Sequence, residues 1–201
     1  MMRRMACAVA VVVSLPCAAA FAQAARDAAP GWGVQQLMLA LRQVKTATGH
    51  FVERKSLHMM KTPLEASGTL FYLAPDQLQK VTNQPKWERL AVNRDMLTID
   101  QGGDGRTRTL PLSDYPEIGA FIESIRATLA GDLPALTRFY AVTVDGTEAD
   151  WHLMLVPKEP RLQRLVKWIR IGGSGHTVRT METEEADGDR SDMSITDPDV
   201  R

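Results

Sequence analysis

Four histidines are the side chains best able to act as general bases or metal ligands: His50, His58, His152 and His176. Their spacings do not match the H-x-x-x-H pattern that places two zinc ligands on one helix face. Ser174 lies between two glycines, but without the G-x-S-x-G pattern of a nucleophile elbow. His152 lies on an apolar strand, where we expect a hydrogen-bonded core histidine. The sequence therefore disfavours an enzyme, a hydrolase included.

Three other patterns could bind a metal or a phosphate group. The two cysteines, Cys7 and Cys17, lie in an N-terminal segment that we expect to be removed, which excludes thiolate chemistry. The acidic stretch 182–192 lacks the ligand spacing of a calcium loop and predicts a solvated turn. The glycine-rich stretch 102–105 lacks the following helix and lysine of a phosphate loop. We expect no metal and no cofactor.

The N-terminal segment has the organisation of a signal peptide. Arg3 and Arg4 precede an apolar run, Met5–Leu15, that is too short for a stable membrane span. Ala22-Gln23-Ala24 matches a small-x-small cleavage site. A lipoprotein signal would need a small residue directly before Cys17, where Pro16 stands. The segment predicts a cleaved peptide of residues 1–24 and a periplasmic mature chain, residues 25–201.

The charge composition excludes partners that bind through a strong electric field. The chain has 24 basic and 24 acidic residues, and losing Arg3 and Arg4 leaves a slight acidic excess. No large field favours nucleic acid or an anionic membrane. The mature length suits one domain, for which we expect a monomer.

The stretch Ser67–Thr82, SGTLFYLAPDQLQKVT, predicts two strands joined by a sharp turn at Ala74-Pro75-Asp76. Pro75 suits the turn because proline fixes φ and lacks an N–H group. Leu70 and Tyr72 share one face of the first strand, and Phe71 and Leu73 share the other. A strand that is apolar on both faces is either buried on both sides or lines an apolar cavity.

Two stretches have the period of amphipathic helices. Val34, Leu37, Leu41 and Val44 predict a helix over Trp32–Thr46. The second helix follows Asp114, which we expect to cap it, with Pro116 in the first turn and Gly131 after the end. Its apolar stripe consists of Ile118, Phe121, Ile122, Ile125 and Leu129. A short third helix is predicted over Asp132–Phe139.

The remaining segments alternate in the manner of strands separated by turn signals. From His50 onward, Phe51, Glu53 and Lys55 share one face. Further strands are predicted over residues 65–73, 77–82, 87–92, 96–101, 106–110, 139–144, 151–156, 165–171, 176–182 and 193–196. Short turns join them, so neighbouring strands must be antiparallel. The order of elements predicts an α+β fold.

An apolar cavity and a dry core both fit these strands. Trp151, Leu153 and Leu155 share one face of a strand whose other face carries Met154 and Val156. Methionines supply flexible side chains that suit a variable acyl ligand. Methionine also fills gaps in dry cores, so the residues alone leave both structures open.

The strand–turn–strand GTLFYLAPDQLQKVT and the later TLPLSDYPEIGAFIESIRATLAGDL resemble the LolA-like outer-membrane lipoprotein carriers, from about Trp32 to the C-terminal end. The resemblance implies an incomplete antiparallel β-barrel, a strongly curved sheet, closed by a helical lid over an apolar cavity. It implies an acylated lipoprotein or lipid as cargo, an inner-membrane exporter as donor and an outer-membrane acceptor.

On this basis we expect thirteen residues to line the cavity and the lid: Leu70, Phe71, Tyr72, Leu73, Leu78, Trp87, Leu97, Ile118, Phe121, Ile122, Ile125, Trp151 and Met154. In carriers of this family an arginine before the proline of the motif holds the lid. Ala74 occupies that position here and has no side-chain donor. Arg54, Lys55 and Arg89 are the candidates to replace it.

Two functions remain after this reasoning. The first is a periplasmic carrier that shields acyl chains of a lipoprotein, a glycolipid or a fatty-acyl product. The second is a periplasmic regulatory module on the same scaffold that senses lipid or protein. Such a module usually carries a second domain or an anchor, and the expected single mature domain favours the carrier.

The signal peptide leads to a direct prediction. The mature protein should begin at Ala25, because signal peptidase cleaves after small-x-small sites. Intact-mass measurement of protein from the periplasm checks this. A diacylglyceryl mass on Cys17, or membrane retention through residues 1–24, would contradict it.

Overall fold

The computed structural model describes residues 32–102 and 107–201, in which eleven strands form one curved, unclosed antiparallel sheet. Its order is β6-β5-β4-β3-β2-β1-β11-β10-β9-β8-β7. The strands are β1 (Thr46–Ser56), β2 (Leu64–Leu73), β3 (Gln77–Gln84), β4 (Glu88–Asn93), β5 (Met96–Asp100), β6 (Thr107–Pro111), β7 (Tyr140–Gly146), β8 (Trp151–Pro157), β9 (Val166–Ser174), β10 (Thr177–Glu185) and β11 (Arg190–Val200). The expected signal peptide lies outside the described residues, as do residues 103–106 of the predicted β5–β6 turn.

One helix precedes the described strands, and the others lie between strands in the chain order. They are α1 (Val34–Leu41), α2 (Pro116–Leu129), α3 (Leu133–Phe139) and α4 (Pro160–Gln163), with a 3₁₀ turn at Leu112–Asp114 before α2. A mostly antiparallel sheet with a few helices is the α+β class expected from the sequence, and the predicted incomplete barrel is confirmed. The short α4 is not among the predicted elements.

The first helix ends earlier than its apolar period predicts. It stops at Leu41, and β1 begins at Thr46. The backbone N–H groups of Lys45 and Thr46 both donate to the Arg201 carbonyl, at 2.6 and 2.9 Å. Pairing with the distant C-terminal end therefore overrides local helical periodicity. Val44 is still buried, but from the connecting turn.

The two ends of α2 differ in how they are fixed. Asp114 does not cap the helix as expected, since it belongs to the 3₁₀ turn and Tyr115 precedes α2 without a side-chain cap. At the other end, Gly131 has φ +63° as predicted for a residue after the helix. The N–H groups of Gly131 and Asp132 donate to the Thr128 and Ala127 carbonyls, which is a Schellman motif.

The predicted third helix is present, and Asp132 caps it. The carboxylate of Asp132 accepts a hydrogen bond from the Ala135 N–H at 3.0 Å. This bond satisfies one of the backbone donors left free at a helix start. The short turn between the two helices therefore fixes both the end of α2 and the beginning of α3.

The dry core occupies only one side of the molecule. It lies where α1 and α3 cover the inner face of β7, β8 and β9. Its largest fully buried side chains include Trp151, Tyr140 and Leu37. Along β8 the residues Trp151, Leu153 and Leu155 are fully buried, whereas His152 and Met154 on the other face are partly exposed. This strand therefore packs a core and does not line a cavity.

Strand β11 is much longer than the four residues predicted from sequence. It spans Arg190–Val200 and pairs with both β1 and β10. Its serines, aspartates and Pro198 weaken any strand signal, but its backbone is satisfied on both sides by neighbours. The C-terminal strand thus joins the first and last parts of the sheet.

Gly68 allows a test of how closely β2 packs against β3. It lies opposite Phe51 of β1, and a Cβ atom there would lie 1.8 Å from the Val81 carbonyl oxygen of β3. Gly68→Ala should therefore lower the free energy of unfolding by about 1–3 kcal/mol, as overpacking does. Ser67→Ala, the neighbouring control, should change it by less than about 0.5 kcal/mol. Urea unfolding checks both, and equal stabilities would show that β2 and β3 can move apart freely.

Candidate functional site

An apolar cavity of about 450 Å³ lies between α2 and the inner face of the sheet. The whole predicted stripe of α2 borders it: Ile118, Phe121, Ile122, Ile125 and Leu129. A helix with one apolar stripe must bury it against another apolar surface. Here that surface is concave, so the stripe covers a cavity and does not pack into a dry core.

Nine of the thirteen residues expected at the cavity border it. They are Leu70, Phe71, Tyr72, Leu78, Leu97, Ile118, Phe121, Ile122 and Ile125. Six further apolar residues, which the sequence analysis did not select, also contribute: Leu90, Val92, Val178, Met181, Met193 and Ile195. On β4 and β11 these residues alternate with polar or small ones, but alternation did not indicate which face turns inward, and on β10 a register shift between Val178 and Thr180 breaks it.

The pairing of β1 with β2 explains why the cavity is not filled by side chains. Leu70 and Tyr72 of β2 lie opposite Gly49 and Ala47 of β1. Small residues on the inner face of this central strand leave volume that larger side chains would fill. A Cβ on Gly49 would lie 2.7 Å from Ile195 Cγ2. Gly49 thus gives the Ile195 side chain of β11 room against β1.

Phe71 lies on the other face of β2. It pairs with Thr48 and Gln79, and 38% of the residue is exposed. The expectation that Leu70 and Phe71 occupy opposite faces therefore agrees with the register. Of the two, Leu70 carries the inward side chain.

Four expected residues do not border the cavity. Trp151 is fully buried in the dry core, where its Nε1 donates to the Gly175 carbonyl at 3.0 Å. Met154 lies on the opposite face of β8, and Leu73 is at the end of β2 on the face of Phe71. Trp87 borders a smaller, separate cavity. In each case the residue type was apolar, but the strand face or the position along the sheet differed from that expected.

A charged pair borders the apolar cavity. Lys80 Nζ donates to Glu53 Oε2, and the Ser191 hydroxyl donates to Glu53 Oε1 at 2.6 Å. The Lys80 ammonium also lies 4.8 Å from the centre of the Phe51 ring, a cation–π contact. Burial alone would raise the pKa of Glu53, but Lys80, Ser191 and the more distant Lys55 outweigh it, so this pKa is lowered.

The histidines do not form a catalytic arrangement with one another. His58 Nδ1 lies 2.8 Å from Asp189, and His152 Nδ1 lies 3.5 Å from Asp145 at the end of β8. His152 is therefore a partly exposed residue and not the core histidine expected. His176 borders the apolar cavity.

The turn between β10 and β11 brings His58, Asp187 and Asp189 together, with ligand atoms within 4.8 Å of one another. Internal hydrogen bonds account for this arrangement. Asp189 Oδ1 accepts from the His58 backbone N–H at 2.9 Å, and the Asp189 N–H donates to Asp187 at 3.1 Å. The His58 backbone and ring contacts hold the pKa of Asp189 below its usual value. The turn predicted over residues 182–192 is present but shorter than expected, since only residues 186–189 lie outside β10 and β11.

Ala74 occupies the position before Pro75 where the carriers that the sequence resembles have an arginine. Ala74 contributes only its backbone N–H, which donates to the Lys45 carbonyl at 2.9 Å. Of the candidate substitutes, Lys55 pairs with Glu185 and Arg89 with Asp100. Arg126 Nη1 of α2 donates a hydrogen bond to the Arg94 carbonyl in the β4–β5 turn, at 3.5 Å. In the described chain, this lid contact comes from the helix and not from the β2–β3 turn.

An open curved sheet with a helix over an apolar cavity is the class of fold that these features define. A family model described as outer membrane lipoprotein carrier protein LolA-like matches residues 22–196. The chain belongs to this family. No curated protein matches the sequence.

Three solved structures illustrate the range of similar chains. A LolA superfamily protein from Nitrosomonas europaea is 9% identical, with 85% of this chain and 94% of that chain covered and a TM-score of 0.44. A Vibrio parahaemolyticus domain named for outer membrane lipoprotein sorting is 8% identical, with 84% and 91% covered and a TM-score of 0.48. Pseudomonas aeruginosa MucB, solved with MucA, is 11% identical, with 83% and 55% covered and a TM-score of 0.45.

The helices of residues 32–102 and 107–201 include none with both the length and the apolar character needed to cross a membrane.

The Glu53–Lys80 ion pair predicts how the free energy of unfolding depends on pH. Because its pKa is lowered on folding, ionised Glu53 stabilises the fold above its unfolded pKa of 4.5, and this contribution is lost as the pH falls through the folded pKa. Glu53→Gln should lower the free energy of unfolding by about 1–3 kcal/mol at neutral pH. The difference from wild type should shrink below the unfolded pKa.

Urea unfolding over a pH series measures this difference. Glu185→Gln is the control, since Glu185 pairs with Lys55 at a more exposed position and should cost less than about 1 kcal/mol. A wild-type and Glu53→Gln difference that stays constant with pH would contradict the assignment of the lowered pKa to Glu53.

Proposed function

We propose that the protein is a periplasmic carrier that shields the acyl chains of a lipoprotein or a related lipid for transfer toward the outer membrane. The observation that supports this most directly is the apolar cavity of about 450 Å³ beneath α2. This volume is within the range of small-molecule sites, about 300–1,000 Å³. Membership of the LolA-like family supports the same function.

The energetics of the cavity suit an acyl chain. Burying each CH₂ group contributes about 0.8 kcal/mol, so one long chain supplies on the order of 10 kcal/mol before the costs of binding. The walls offer apolar side chains from both α2 and the strands, with methionines 181 and 193 able to adapt to chains of different shape. Binding of this kind requires only burial, and covalent chemistry is unnecessary.

The exposed part of α2 indicates where a chain would enter. Ile118 borders the cavity and is 41% exposed, so it lies where the cavity meets solvent. Tyr115, just before α2, is another large exposed apolar residue. Such residues around an opening favour contact with an amphiphilic cargo.

The partner proteins that we propose are those expected for a carrier of this family. An inner-membrane exporter would supply the cargo, and an outer-membrane acceptor would receive it. We propose that the carrier acts as a monomer, because one chain contains the whole cavity. Native mass spectrometry of protein purified from its own periplasm without detergent identifies the cargo, and a preparation free of lipid and acylated protein would weigh against the proposal.

Leu70 and Val52, which lie on opposite faces of neighbouring strands, give a matched binding test. Leu70→Glu places a carboxylate in the cavity and should weaken uptake of a fluorescent fatty-acyl probe at least about tenfold, since an unpaired charge resists burial. Val52→Glu places the same charge on the outer face, at a residue that is 51% exposed and does not border the cavity, and should leave affinity nearly unchanged. A fluorescence titration measures both.

A thermal melt of each variant shows whether the fold survives. If Leu70→Glu unfolds the protein, Ile122→Glu on α2 tests the same wall from the lid side. Equal affinity for wild type, Leu70→Glu and Ile122→Glu would contradict binding in the cavity. A wild-type protein that takes up no probe would support a dry core.

A transfer assay separates the carrier from a regulatory module. Loaded protein is mixed with acceptor vesicles, and probe release into them is followed over time. A carrier should release its probe faster when the vesicles are present. A protein that binds the probe but retains it would favour the sensing function.

A further inference from the structure

A second cavity of about 270 Å³ lies beside the turn that joins β3 and β4. Its lining differs from that of the apolar cavity, since most of the described residues around it are polar or charged. The residues that line it without bordering the larger cavity include Lys86, Trp87, Glu88 and Gln101. Glu88 Oε1 accepts a hydrogen bond from Gln101 Nε2 at 3.1 Å, which holds this carboxylate on the wall.

Glu53 and Lys80 are the described residues that border both cavities. They lie on the inner face of the sheet, where Lys80 is between Leu70 and Leu90 and Glu53 is beside Met193. Only 17% of the Glu53 side chain and 27% of the Lys80 side chain are exposed. The ion pair therefore separates a volume with apolar walls from a volume with polar walls.

The charges around the second cavity are balanced. Among the described residues, Glu53 and Glu88 contribute two carboxylates, and Lys80 and Lys86 contribute two ammonium groups. A purely anionic group near Lys80 would also meet the carboxylate of Glu53. A purely cationic group would meet Lys80 in the same way. A group that carries both charges can satisfy both signs, and the Trp87 indole offers an aromatic face to its cation.

We propose that the second cavity binds the zwitterionic headgroup of an amphiphile whose acyl chains fill the apolar cavity. The chemistry is a phosphate placed near Lys80 and an ammonium placed near Glu88 and Trp87, as in a phosphoethanolamine lipid. The Glu53–Lys80 pair lies where the chains meet the headgroup. This inference rests on the proposed acyl-binding function and adds the headgroup class.

Four short-chain lipids with the same two acyl chains test the charge preference. They are dihexanoyl phosphatidylethanolamine, phosphatidylcholine, phosphatidylglycerol and diacylglycerol, each titrated against the mature protein below its micelle concentration. The two zwitterionic lipids should bind at least about tenfold more tightly than the anionic lipid and the uncharged one. Free glycerophosphoethanolamine, which has no chains, should bind weakly, because a headgroup alone does not fill the apolar cavity.

The exchange variant Glu53→Lys with Lys80→Glu keeps the net charge and the ion pair but reverses their order. It should lose at least about tenfold in affinity for the zwitterionic lipids and change its affinity for diacylglycerol less than about twofold. Lys55→Met is the control, because it breaks the Lys55–Glu185 pair, which borders neither cavity. Its lipid affinities should match wild type.

Trp87 gives an independent readout that needs no change in the pair. A phosphatidylcholine with a nitroxide quencher attached to its quaternary ammonium, which keeps the positive charge, should quench the fluorescence of wild type more than that of Trp87→Phe. The same lipid with bromine at the chain ends should quench the two proteins equally. The reverse pattern would place the headgroup elsewhere and overturn the proposal, even if the exchange variant fails to fold.

The outcomes separate the two proposals. If the wild type binds none of the four lipids and no fatty-acyl probe, the acyl-binding function and the headgroup site both fail. If all four lipids bind equally and the exchange variant matches wild type, only the headgroup site fails. Preference for phosphatidylglycerol, abolished by Lys80→Met, would replace the zwitterionic site with an anionic one and also overturn the proposal.

Discussion

The pairing of β1 with β11 is the constraint on which the rest of the structure depends. The chain makes β1 to β6 as one run of neighbours and β7 to β11 as another, and this pair joins them into one sheet. The Arg201 carbonyl extends the connection by accepting from the N–H groups of Lys45 and Thr46. Without it, neither run would enclose the space below α2, because the cavity takes wall residues from both.

The inner face of the sheet borders the dry core near β7–β9 and the apolar cavity near β1. Large residues such as Trp151 and Tyr140 fill the β7–β9 side beneath α1 and α3. On the β1 side, Ala47 and Gly49 leave room that the stripe of α2 covers without filling. The dry core stabilises the fold, so the β1 side does not need a close-packed interior to hold the sheet together.

Sequence patterns predicted the strands and α2 well because local signals define both. Turn residues marked the ends of most strands, and the α2 stripe identified five residues that all border the cavity. Patterns failed where distant pairing decides the outcome, as in the early end of α1 and the length of β11. Trp151 shows the same limit: alternation gave its strand correctly, but only the position of β8 in the sheet places it in the core.

The Glu53–Lys80 pair could not be found from sequence for a related reason. The two residues are on different strands, with β2 between them in the sheet, and each looks like an ordinary polar position of an alternating strand. Ser191, which completes the arrangement, is on β11 and far along the chain. Only the register of three strand pairs brings them to one face, so their chemistry appears only once the sheet is assembled.

The two ends of α2 are held differently: contacts fix its C-terminal end, whereas its N-terminal end has fewer. At its C-terminal end the Schellman motif fixes the turn, and Arg42 Nη2 of the α1 connection donates to the Gly131 carbonyl at 3.0 Å. A Cβ on Gly131 would lie 2.2 Å from the Met38 carbonyl, so this end is packed against α1 without spare room. The other end follows Tyr115 without a side-chain cap, and there Ile118 meets solvent. An outward movement of α2 would therefore pivot about Gly131 and widen the cavity from the Pro116 end, while the packed core on the other side stays undisturbed.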